Sequence, residues 1–150
     1  MAFLDPIFAA YPVDGFQDIW FRGLTASEAE GLFYFACHNQ EAADIMDVHE
    51  AGAEERRFAL EAGHEFKALT IDNVVLQGVA IRIEDDEVAI DFNTGLEYWN
   101  SARQDAFIEW LRSLHRRVPH ARLDWAHEGC GSSPSEYETN LLRRALAGDA

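Results

Sequence analysis

Apolar and polar residues alternate along FQDIWFRGL, residues 16–24, as a strand buried on one face requires. Residues 3–11 read as a short helix broken by Pro12, and VDG at 13–15 as a turn. After the strand, Thr25-Ala-Ser-Glu28 has the form of a capping box. In that motif the Thr25 hydroxyl accepts from the amide three residues on, while the Glu28 carboxylate accepts from the Thr25 amide. The helix it starts places Ala29, Leu32, Phe33 and Ala36 at three- and four-residue spacing and is expected to end near His38-Asn39.

Residues 40–62 are rich in Ala and Glu and carry few bulky apolar side chains. They predict an acidic helical excursion packed on one side, with Gly63 as its C-terminal stop. Three strands are then expected, at 64–71, 74–83 and 87–93. The last two can be tested as a hairpin. With Asp85-Asp86 as the loop, Glu84 pairs with Glu87, Ile83 with Val88, Ile81 with Ile90 and Val79 with Phe92. Opposed residues share a face, so this register makes one side of the ribbon wholly apolar. The other side carries Arg82, Glu84, Glu87, Ala89 and Asp91.

Thr94-Gly95 breaks the third strand, and Asn100 or Ser101 caps a helix over 102–117. Its apolar stripe is Phe107, Ile108, Trp110, Leu111 and Leu114. Arg112, His115, Arg116 and Arg117 crowd its C-terminal end, where cations complement the helix dipole. Pro119 ends it, and 121–126 reads as a short strand. Ser133-Pro134-Ser135-Glu136 predicts a final capping box and helix, with Tyr137, Leu141 and Ala145 inward, joined by Leu142 and Leu146. The order β-α-(α)-β-β-β-α-β-α predicts one α+β domain over 1–150. Its mostly antiparallel sheet has about four to five strands, with helices packed on one face as a single layer pair.

Composition changes this picture chiefly through charge. The 150 residues are 48% apolar and 12% aromatic, a globular balance, yet the formal net charge is −15. Residues 1–101 hold 20 acids and 5 bases, whereas 102–150 hold 7 of each. Such a field repels nucleic acid and anionic membranes and favours a basic protein partner. The N-terminus lacks the basic start of a signal peptide, and the two cysteines make no disulfide framework, so a cytoplasmic location is expected. Lys67 is the only lysine beside eleven arginines, which with abundant alanine suggests a GC-rich bacterial source.

Few residues suggest catalytic chemistry. The run Glu84-Asp85-Asp86-Glu87 puts consecutive side chains on opposite faces, so it does not converge on an ion as a calcium or magnesium loop does. His120, His127 and Cys130 lie within eleven residues, and Cys37-His38 could join them, but the paired spacing of structural zinc is missing. Cys130 sits in a glycine-rich loop near a helix start, as a thiol nucleophile can. Glu65-Phe66-Lys67 matches half of a nuclease motif, in a chain whose charge opposes nucleic acid. Phosphate-binding glycine loops are absent, and no cofactor is implied. Tyr98 and Trp99 beside Glu97 combine large rings with negative charge, as a binding hot spot for a basic partner would.

In size, acidity and lack of catalytic motif the chain resembles the small immunity proteins that bacteria make against toxins, many of which bind basic nucleases. The resemblance covers no aligned residue. It implies a non-enzymatic acidic protein that docks or inhibits a basic partner, possessing no metal or catalytic site. The expected contacts are Glu84, Asp85, Asp86, Glu87, Asp91, Glu97, Tyr98 and Trp99. The alternatives are a metal- or thiol-dependent enzyme using Cys130, His127 and His120, and a structural subunit without activity of its own.

Overall fold

The alternation in the strands resolves into one sheet with two chemically different faces. The computed structural model describes residues 4–10, 16–37, 64–66, 69–93, 95, 97–127 and 135–148. Its helices are α1 (Asp5–Ala10), α2 (Ala26–Cys37), α3 (Ser101–Arg117) and α4 (Glu136–Ala147). Its strands are β1 (Phe16–Arg22), β2 (His64–Glu65), β3 (Leu69–Ile71), β4 (Val74–Leu76), β5 (Ala80–Glu84), β6 (Glu87–Asn93) and β7 (Arg122–His127). Five strands form an antiparallel sheet in the order β2-β5-β6-β1-β7, and β3-β4 form a separate hairpin. The protein is α+β, as the element pattern predicts.

Ile81, Ile90, Ile19 and Trp125 line up across four strands, and Ile83, Val88, Phe21 and Leu123 form the next row. Both rows are buried, and apolar residues of all four helices join the same cluster. Leu69 and Leu76 of the small hairpin complete it. Each such side chain contributes about 1.5–3 kcal/mol on burial, so these rows hold the helical layer to the sheet. Aromatic rings fill the end of the layer. Phe8 of α1 stacks on Trp99 at 5.1 Å, and Phe92 contacts Phe107 at 5.0 Å and Trp125 at 5.2 Å.

Two local devices tie the helices to the strands. The Thr25 capping box forms as predicted: the Glu28 amide donates to Thr25 Oγ1 at 3.1 Å, and the Thr25 amide donates to Glu28 Oε1 at 2.9 Å. Along α4, residues one turn apart occupy the outer edge of β7. The Ser135 amide donates to Trp125 O at 2.7 Å, Thr139 Oγ1 accepts from Trp125 N at 2.9 Å, and Arg143 Nη2 donates to Leu123 O at 3.1 Å. These bonds occupy backbone groups that an uncovered edge strand offers to other chains.

Several boundaries differ from the sequence expectation. The expected strand at 64–71 supplies β2 and β3, which belong to different sheets. The strand at 74–83 supplies β4 and β5, separated where Gly78 takes a left-handed φ of 75°. The last helix begins at Glu136 with Ser135 as N-cap, two residues after the expected Ser133, and the Ser135 hydroxyl meets the Glu138 carboxylate. Tyr137, expected inward, is exposed, while Glu138, Thr139 and Leu142 are buried. The phase of α4 follows the β7 edge bonds, not the largest side chain. The acidic excursion at 40–62 and the stop at Gly63 lie outside the described residues.

Candidate functional site: the β5–β6 ribbon and its acidic tip

The β5–β6 ladder pairs Glu84 with Glu87, Ile83 with Val88 and Ile81 with Ile90, the register that alternation predicts. Val79 and Phe92 lie one step past its last paired residues, Ala80 and Asp91, and are both buried. Asp85 and Asp86 form the two-residue loop with φ of 50° and 61°. Both are left-handed, as a loop that follows the strand twist requires. That conformation is unfavourable for most side chains, and aspartate tolerates it better than most.

Behind the tip, the polar face of the sheet neutralises much of its own charge. Arg82 lies 2.6 Å from Glu84, 3.1 Å from Asp91 and 3.5 Å from Asp18. Burial alone would lower the Arg82 pKa, but the charges of Asp91 and Asp18 and hydrogen bonds to Asp91 and Glu84 raise it above the ordinary guanidinium value. Arg22 donates to Glu87 at 2.9 Å, and its Nε makes an ion contact with Asp124 at 2.9 Å. The two guanidinium groups each stand 5.0 Å from the ring of Trp20. Trp20 packs with Ala89 and Ala126 in a small cluster on this face. Its indole Nε1 and the Asp91 Oδ1 atom are buried without a hydrogen-bond partner among the described residues.

The eight expected contact residues therefore divide. Asp85 and Asp86 are exposed and have no partner among the described residues. Glu84 is exposed but held by Arg82, and Glu87 and Asp91 are half-buried in ion pairs with Arg22 and Arg82. Glu97, Tyr98 and Trp99 follow the far end of β6, about 20 Å along the strand from the tip. Glu97 is exposed. Tyr98 is pinned: its hydroxyl accepts from the Gln77 amide, and Arg103 stands 4.4 Å from its ring. Trp99 is 1% exposed, with its indole donating to Asn93 O, so its ring is core and not a contact surface. Tyr98 and Trp99 close the β6–α3 connection; sequence adjacency to Glu97 does not make one patch of them.

Of the residues considered for metal or thiol chemistry, only part lies among the described residues. His120 precedes β7 and His127 ends it, so a strand about 17 Å long separates their backbones. His120 Nε2 lies 2.9 Å from Glu28 Oε2. The Glu28 pKa is lowered first by the Thr25 amide and, against a smaller desolvation effect, by His120. Cys37 is buried in α2, and burial pushes its thiol up to about 12. Among the described residues no group of three His, Cys, Asp or Glu is arranged to hold a metal ion. Cys130, His38 and Lys67 lie outside the described residues.

Alternation places Arg82 on the polar face without giving its partners, and hairpin register alone does not single out Arg22, Asp18 or Asp124. Period-two alternation in β1 and β7 carries the signal for all three. Placing it requires the order β6-β1-β7, which only the fold supplies. Among the described residues no helix is long and apolar enough to cross a membrane. No family model, curated protein or solved structure matches the chain.

Proposed function

We propose that the protein is a non-enzymatic acidic binding protein that docks a basic protein partner, in the manner of the small immunity proteins that block toxins. The observation that carries this reading is the tip of the β5–β6 ribbon. Asp85 and Asp86 are exposed and have no partner among the described residues, and Glu84 beside them is largely exposed. The ribbon behind them is fixed in register by five cross-strand pairs. A rigid support lowers the ordering cost of binding, and the overall charge of −15 speeds encounter with a basic surface.

The reading narrows the expected contacts to Glu84, Asp85 and Asp86, with Glu87 and Asp91 as supports already engaged by arginines. Glu97 is a separate negative point at the other end of β6.

Affinity capture from the source cell at low and high salt tests this, with Asp85→Asn/Asp86→Gly as the control. Asn-Gly suits the same two-residue turn while removing both charges. The expected result is a basic partner whose retention falls with salt and with the variant. A partner held equally by wild type and variant, or one indifferent to salt, would overturn it.

A further inference from the structure

The C-terminal ends of α3 and α4 meet the start of β7 around a cleft of about 300 Å³. Ala121, Leu123 and Leu146 give it an apolar lining, and His115, Arg122 and Arg143 supply its polar groups. Among the described residues, Arg122 makes one hydrogen bond, from Nε to Asp124 at 3.0 Å, and its side chain is 65% exposed. Its two Nη groups make no hydrogen bond among those residues. Arg143 gives Nη2 to Leu123 O at 3.1 Å and lies 3.6 Å from Asp124 Oδ1. Asp124 is thus shared among three guanidinium groups, those of Arg22, Arg122 and Arg143. Arg22 is also paired with Glu87, which leaves Asp124 chiefly to Arg122 and Arg143, so among the described residues positive charge remains beside the cleft.

The carbonyl end of α4 would oppose an anion here. Two of its oxygens are already engaged: Arg112 donates to Ala145 O at 2.7 Å and to Leu146 O at 2.9 Å. We propose that this cleft binds a small carboxylate with an apolar body. The carboxylate meets the free N–H groups of Arg122 and Arg143, and the hydrocarbon lies on Leu123 and Leu146. Guanidinium N–H pairs match a planar carboxylate. An apolar lining disfavours inorganic phosphate, whose remaining oxygens would face carbon without hydrogen bonds. The cleft stands at the small end of ligand sites, which suits a body of about six carbons. This inference is independent of the acidic-tip reading, since it concerns the opposite charge on other elements.

The test is a titration of the ¹⁵N-labelled full chain with hexanoate, followed by amide chemical shifts. Acetate supplies the charge without the body, and hexanol the body without the charge. The expected result is saturable shifts clustered at Ala121, Leu123, Arg143 and Leu146. Acetate and hexanol should each bind about tenfold more weakly or worse, and Arg122→Gln should weaken hexanoate about tenfold. Arg122 is exposed and supports no helix, so its variant should melt like wild type; Arg143→Gln serves as a second variant. No saturable shift at millimolar hexanoate would overturn the proposal. So would shifts scattered over the surface, hexanol binding as well as hexanoate, or unchanged affinity in both arginine variants.

Discussion

Thr139 of α4 accepts the amide hydrogen of Trp125 through its hydroxyl oxygen at 2.9 Å, with both residues buried. A helix side chain here takes the place of a neighbouring strand. Thr139→Val keeps the shape and removes the acceptor, leaving a buried amide without a partner. It should destabilise the fold by about 1–3 kcal/mol in urea unfolding, whereas Thr139→Ser should retain most of the stability. A larger loss in Thr139→Ser than in Thr139→Val would show that packing of the methyl group outweighs the hydrogen bond.

Gln104 is a second buried polar link. Its Nε2 donates to Asp5 Oδ1 and to Trp99 O, both at 2.7 Å, and its Oε1 accepts from the Leu4 amide at 3.2 Å. One side chain thereby ties the start of α1 to the β6–α3 connection. Gln104→Ala removes three hydrogen bonds from a site 2% exposed and should cost about 2–3 kcal/mol. Hydrogen exchange should show α1 loosened more than the β1–β6 ladder. Uniform loosening of both would contradict this local role.

The ribbon tip separates charge from stability. Asp85→Asn/Asp86→Gly relieves left-handed backbone at a non-glycine residue and should stabilise the protein by about 0.5–1 kcal/mol while removing two negative charges. Circular dichroism melts measure the first effect, and partner capture measures the second. A less stable double variant would mean that the two carboxylates contribute more to the turn than their backbone conformation costs.

Cys37 gives a pH dependence with a defined sign. Burial raises its thiol from an ordinary value of 9.0 to about 12, so the folded state keeps the proton that the unfolded chain releases near 9. Its stabilising contribution is therefore fully present below pH 9 and is lost as pH rises towards 12. In a Cys130→Ser background, Cys37 should resist a thiol reagent at pH 8 until denaturant is added. Rapid native labelling would show that the α2 core opens readily.

Part of this fold was legible because only one geometry satisfies the residues. In IRIEDDEVAI the register that pairs Ile83 with Val88 and Ile81 with Ile90 buries one whole side, and a one-residue slip exposes it. Thr25 and Glu28 satisfy each other within four residues and need no distant partner. Other signals were ambiguous at short range. Ser133 and Ser135 each stand three residues before a glutamate, and Pro134 tips the local pattern towards the earlier start. The bonds from Ser135 and Thr139 to Trp125 placed the start and turned Tyr137 to solvent.

The candidate site divides along the same line. The sequence by itself determined the hairpin, its tip and the excess of acid, because alternation and charge are local or additive properties. The tertiary structure decided which acids remain uncompensated. Arg22 reaches Glu87 from a strand 65 residues away in sequence, and Arg82 reaches Asp18 across the sheet. It also decided that Trp99 is core and stands at the opposite end of β6 from the tip. Neutralisation and burial depend on which strands become neighbours, and neighbour order is set by how the whole apolar face packs under the helices.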